Sequence, residues 1–157
     1  MATQIGIQEI ERAQQVWAAK ITEIGKAFLK KQDYRKVTKN MVDELYGYQN
    51  GTVLFKPTRA QEKQFRLNIE SALSYFIGDN PEYPEDEGFA LQPWQSVRFE
   101  NAGFILKENF AVAMGNYFFT DYEGKEVKVE YTIGYYRSTH GNLKINLHHS
   151  SLPFSGE

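Results

Sequence analysis

Near its C-terminal end the chain runs Leu147-His148-His149-Ser150-Ser151-Leu152-Pro153, two imidazoles and two hydroxyls on four successive residues. Such groups can move a proton or hold a small polar guest. His140, His148 and His149 are the only histidines, and there is no cysteine. Disulfides, thiolate metal sites, iron–sulfur clusters and cysteine nucleophiles are thereby excluded. A catalytic zinc generally takes three protein ligands in a tetrahedral array. Successive side chains on a strand point to opposite faces, so His148 and His149 do not converge on one ion, and His140 lies apart in a turn. No metal ligand is assigned, and His140 reads as a solvated turn residue.

Strand parity sorts the four residues into pairs. Ile145, Leu147, His149 and Ser151 share one face, and Lys144, Asn146, His148 and Ser150 share the other. The first face starts more apolar, so it is the one expected to line the interior, with His149 and Ser151 on a pocket and His148 and Ser150 toward a partner subunit or a flanking element. The bland alternative for either pair is a satisfied polar cluster at a sheet end. Two further groups stand out. Thr58 follows Lys56-Pro57 and precedes Gln61 by three residues, the spacing of a capping box, so it is expected to cap a helix whose free N–H groups suit an anion. Tyr75 flanks the apolar row of that helix, where its hydroxyl can reach a pocket wall.

The elements that must position these groups are legible in the spacing of apolar residues. Ile7, Ile10, Gln14, Trp17, Ile21, Ile24 and Phe28 recur at alternating steps of three and four, one stripe on an otherwise polar helix. Asp33 is expected to cap a second helix carrying Val37, Met41 and Leu45, closed by the Asn50-Gly51 turn before a short apolar run over Thr52 to Phe55. The third helix, from Thr58, buries Phe65, Ile69, Leu73 and Phe76 and stops at Gly78-Asp79-Asn80-Pro81. Residues 79–93, with Glu82, Glu85, Asp86 and Glu87, read as a solvated surface loop or lid, and Arg66 as a helix-surface cation beside Glu62 or Glu70. Four long strands follow, over 95–106, 110–120, 126–138 and 143–151, rich in aromatic and β-branched residues. Helices followed by an antiparallel meander make an α+β fold, expected as one domain over 1–157.

Composition bounds the function. With 157 residues, 41% of them hydrophobic and 15% aromatic, the chain can bury one sizeable core. Eighteen basic residues against twenty acidic leave a net charge of −2, so no electrostatic drive toward nucleic acid or an anionic membrane is expected. The charges scattered over the first thirty residues leave no apolar run for a leader or a span, which makes a cytoplasmic protein the expectation. No phosphate loop, GxSxG or HExxH pattern occurs.

Three stretches together, Val53-Leu54-Phe55-Lys56-Pro57-Thr58, Ser71-Ala72-Leu73-Ser74-Tyr75-Phe76 and the His148-His149-Ser150-Ser151 strand end, resemble the iota class of carbonic anhydrases. That family consists of NTF2-like domains and is related to the association domain of calcium/calmodulin-dependent kinase II. The resemblance implies an NTF2-like cone, its N-terminal helices packed on a curved antiparallel sheet, whose pocket hydrates carbon dioxide reversibly to bicarbonate without metal or other cofactor. It further implies Thr58, Tyr75, His149 and Ser151 as catalytic groups, Ser150 and His148 as further substrate contacts, and a homodimer formed through the sheet. Two rival classes are a non-enzymatic association module and a small-molecule isomerase or binder; the latter would need a pocket carboxylate, and no acidic residue has an evident claim to that place.

Overall fold

The computed structural model describes residues 3–156. Three helices, α1 (Ile7–Leu29), α2 (Tyr34–Leu45) and α3 (Ile69–Ile77), cover one face of a five-stranded sheet built from β1 (Leu54–Lys56), β2 (Trp94–Leu106), β3 (Phe110–Asp121), β4 (Glu126–Arg137) and β5 (Leu143–Ser151). The strand order is β1-β5-β4-β3-β2, with β2 to β5 an antiparallel meander. The short run after the second helix becomes β1, and it pairs in parallel with β5, setting Phe55 opposite His148 and Lys56 opposite His149. The sheet is therefore mixed rather than wholly antiparallel.

The central part of the α1 stripe is buried at Ile10, Gln14, Trp17, Ile21 and Ile24, whereas Ile7 and Phe28 at its ends stay exposed. Each large apolar side chain fully buried this way contributes about 1.5–3 kcal/mol. The inner face of the sheet supplies Ala111, Ala113, Tyr117 and Phe119 from β3 and Val129, Tyr131, Ile133 and Tyr135 from β4, alternating residues as strand geometry requires. One extra residue bulges from β2 between Asn101 and Gly103, and another from β5 at Asn146. Bulges bend a strand and raise its twist. Opposite the first of them Gly115 is required, because a Cβ there would sit 2.1 Å from the Glu100 carbonyl oxygen.

Asp33 caps α2 as expected, its carboxylate accepting the Lys36 N–H at 3.1 Å. The expectation for α3 is corrected. Thr58 is no helix cap: residues 57–68 are irregular, and the helix starts after Asn68, whose side chain accepts the Ser71 N–H at 2.9 Å. The reason is a competing acceptor. The Gln61, Glu62 and Lys63 amides turn outward to the Glu85 carboxylate, at 2.7 to 3.2 Å, instead of forming the first turn of a helix. Those amides, Lys63 and Gln61 foremost, hold the Glu85 carboxyl below the usual carboxylate range. Phe65, expected in the core, is consequently exposed.

The acidic run is likewise no solvated loop. Asp86 is buried and binds the fully buried Arg66 through both guanidinium nitrogens, at 2.7 and 2.8 Å, while Glu82 and Glu87 remain exposed. Arg66 is thus tied to the loop, not to Glu62 or Glu70 on a helix surface.

Candidate active site

β5, the turn after β1, α3, β3 and α1 converge on one small cavity of about 10 Å³. That is room for about one water molecule, far below the roughly 300–1,000 Å³ of clefts for drug-sized ligands. Its polar lining is Thr58, Tyr75, Tyr117, His148 and Ser150, and its walls are aromatic, with Trp17, Phe55, Phe76 and Phe89. Tyr75 stacks on Phe89 at 5.5 Å between ring centroids and also borders a wider outer cleft of about 400 Å³ that takes in Arg59 and Glu87. Tyr75 and Phe89 therefore stand between cavity and cleft.

The pairing of the terminal strand is the reverse of the expected one. His148 and Ser150 are buried on the cavity, at 2% and 1% exposure, whereas His149 and Ser151 lie on the opposite face of the sheet beside Met114, Asn116 and Glu130. Ser151 donates to the Glu130 carboxylate at 2.9 Å. The cause is the bulge at Asn146: Ile145 pairs with Tyr135 and Leu147 with Gly134, so one residue is skipped and the alternation flips between them. Ile145 and His148, three apart, both point inward. Lys56 reaches the Ser150 carbonyl at 2.8 Å, which secures the strand end from the neighbouring edge.

Sequence reasoning missed the groups behind His148. Trp17 donates its indole N–H to the Tyr46 hydroxyl at 3.0 Å; Tyr46 meets His148 Nδ1 at 2.9 Å; Tyr117 meets Nε2 at 3.0 Å and bonds Ser150; Ser150 lies 3.3 Å from the Glu130 carbonyl. The direction of this row follows from its ends. An indole is a donor only, so Tyr46 accepts from Trp17 and must spend its own hydrogen on Nδ1. Nε2 then carries the ring proton and donates to Tyr117, Tyr117 donates to Ser150, and Ser150 donates to Glu130. The opposite order would leave the buried Tyr46 hydrogen without an acceptor among these contacts, at a cost of about 1–3 kcal/mol. The signal that could have found Tyr117 is its parity: it is a hydroxyl on the same inward row as Ala111, Ala113 and Phe119.

A family model described as metal-independent carbonic anhydrase matches residues 8–152. The chain belongs to that family. A metal-independent carbonic anhydrase of Nostoc sp. is 40% identical over 149 residues, 93% of this chain and 73% of that protein. The crystal structure of an iota-carbonic anhydrase from a cyanobacterium, complexed with bicarbonate, superposes with a TM-score of 0.95 at 37% identity, covering 99% of this chain and 96% of that one. An NTF2-like superfamily protein of Salmonella enterica shares the fold alone, with a TM-score of 0.55 at 12% identity over 96% of this chain and 92% of that one. The α+β, NTF2-like architecture expected from the sequence is thus the one found, and the reaction that goes with the family is the reversible hydration of carbon dioxide to bicarbonate and a proton.

The electrostatics of the cavity keep its groups neutral. Burial raises the Tyr75, Tyr117 and Tyr46 hydroxyls above the ordinary tyrosine value, only partly offset by the Arg59 amide at Tyr75, Ser150 at Tyr117 and Trp17 at Tyr46. Burial, with His149 adjacent, lowers His148 from 6.5 to about 3. Its two ring nitrogens are both engaged, so it acts as a fixed neutral strut. A histidine that takes up its proton near 6.5 when unfolded but near 3 when folded leaves stability intact above 6.5 and removes it as pH falls from 6.5 toward 3. At about 1.4 kcal/mol per pH unit, this residue is expected to remove about 2 kcal/mol between pH 6.5 and 5. Urea midpoints of wild type and His148→Gln at both pH values test it, the variant lacking that share of the loss.

Proposed function

We propose that this chain hydrates carbon dioxide in the aromatic-walled cavity, with Thr58, Tyr75 and Ser150 around the bicarbonate oxygens and His148 holding Ser150 in place through Tyr117. The supporting observation is convergence: hydroxyls from the turn after β1, from α3 and from β5 border one small, aromatic-walled gap. Carbon dioxide suits apolar walls. As water adds, a C–O bond forms at carbon and charge grows on the two original oxygens, where preorganised hydroxyl donors stabilise it. The water oxygen keeps one hydrogen, and the other leaves as the proton. Tyr75 faces both the cavity and the outer cleft, so its hydroxyl can take that proton on one side while releasing its own on the other, with no net charge on the ring. Thr58 stays beside the Tyr75 hydroxyl, which keeps the place assigned to it although it caps no helix. His149, expected among the catalytic groups, has no part in this scheme because it lies on the other face.

The homodimer belongs to the same reading. The outer sheet face carries exposed Leu54 and Met114 near His149 and Ser151, a surface suited to a second copy, and the setting is a cytoplasmic one. No helix of the described residues is long and apolar enough to cross a membrane.

Stopped-flow hydration of carbon dioxide by exhaustively chelated protein tests the function. The expected result is turnover well above the buffer rate and unchanged by chelation. Turnover absent, or lost on chelation and restored by zinc or manganese, overturns the proposal.

A further inference from the structure

We infer that Ser150 makes the cavity selective for an anion that carries a hydrogen, bicarbonate over nitrate, because its hydroxyl is presented to the guest as an acceptor. The inference rests on the reading that bicarbonate occupies this cavity. A serine hydroxyl has one hydrogen and two lone pairs. At Ser150 the hydrogen is directed to the Glu130 carbonyl and one lone pair receives the Tyr117 hydrogen. Ser150 borders the cavity, so what it has left to offer a guest is its second lone pair. Tyr75 is the reverse case. Its oxygen accepts the Arg59 N–H at 3.3 Å, and its own hydrogen is free to be donated inward.

The two sides of the cavity are therefore unlike, one donating and one accepting. Bicarbonate is unlike in the same sense: two of its oxygens share the charge and the third bears a hydrogen. Nitrate has the same planar shape, charge and oxygen count but no hydrogen, and it would set lone pair against lone pair at Ser150, a side chain only 1% exposed. A site built to bond a hydroxyl rejects an analogue lacking it, since its own buried group is then left unpaired. Tyr117 is the positioning residue for this selectivity. It saturates Ser150 from one side, and it is itself fixed by the His148 proton, whose place on Nε2 is set by Tyr46 and Trp17.

The test is titration of the protein with sodium bicarbonate and with sodium nitrate, followed by the NMR shifts of the Thr58, Tyr75 and Ser150 amides. Wild type is expected to bind nitrate at least about tenfold more weakly. In Tyr117→Phe the Ser150 lone pair is released and its hydrogen can leave the long bond to Glu130 for the guest, so the two affinities are expected to converge to within about threefold. Equal affinities in wild type overturn the inference while leaving bicarbonate in the cavity, and this arm stands even if Tyr117→Phe fails to fold. An undiminished gap in a folded Tyr117→Phe overturns it too. Neither anion moving these amides removes both the inference and the reading under it.

Discussion

Ser150→Ala is expected to lower carbon dioxide hydration about a hundredfold, and Ser151→Ala to change it less than twofold. The contrast comes from one hydrogen-bonding group on each side of the sheet. Ser150 borders the cavity and ends a buried row of oriented groups, whereas Ser151 bonds a glutamate on the outer face. Ser150 accepts the hydrogen that the reacting water keeps and so fixes where its oxygen sits, and a misplacement of about 1 Å at a reacting centre costs about a hundredfold in rate. The alanine also leaves the Tyr117 hydrogen without its acceptor, so a loss of about 1–3 kcal/mol in stability accompanies the loss of rate. Rates are therefore compared well below the unfolding midpoint of each variant. Tyr75→Phe is expected to behave like Ser150→Ala with less effect on stability, because the ring still stacks on Phe89. Equal rates in the two serine variants, or a larger loss in Ser151→Ala, would put the reaction on the other face.

The two serines also show where sequence reasoning stops. All four long strands and the first two helices were legible, since their apolar periods are undisturbed over many residues. The four candidate residues of β5 were legible as a group, but not the pair that faces inward, because parity counts only along an unbroken ladder. Nothing in Leu143-Lys144-Ile145-Asn146-Leu147 announces that Asn146 is skipped; the bulge is a property of the pairing with Gly134 and Tyr135 on another strand. The third helix failed for a related reason. Thr58 and Gln61 have the spacing of a capping box, yet the amides that would enter that helix find the Glu85 carboxylate, supplied from more than twenty residues downstream. Local propensity is overruled wherever a distant group offers a charged acceptor. Trp17 was read as a packing residue and does pack; its hydrogen bond to Tyr46, and that of Tyr46 to His148, exist only once α1, α2 and β5 have met.

The same distant acceptors underlie the second large effect. Asp86→Ala is expected to cost about 3–5 kcal/mol of stability, the range for removing one partner of a buried ion pair. Arg66 is fully buried, and besides both Asp86 oxygens it donates to the carbonyls of Lys63 and Ser71, each at 2.8 Å. Without Asp86 the carboxylate left beside its charge is Glu85, at 4.0 Å. Ser74 loses its acceptor in the same step. Replacing both ends, Arg66→Met with Asp86→Leu, removes the charge along with its partner, so urea denaturation is expected to return most of the lost stability. Hydration should not return with it. Asp86 and Glu85 hold the segment that carries Phe89 against the turn that carries Thr58, and apolar side chains in their place supply volume but no bond direction. A double variant that regains both stability and rate would assign the ion pair no part in shaping the cavity, and an Asp86→Ala loss below about 1 kcal/mol, the level of an exposed pair, would place Arg66 in contact with water after all.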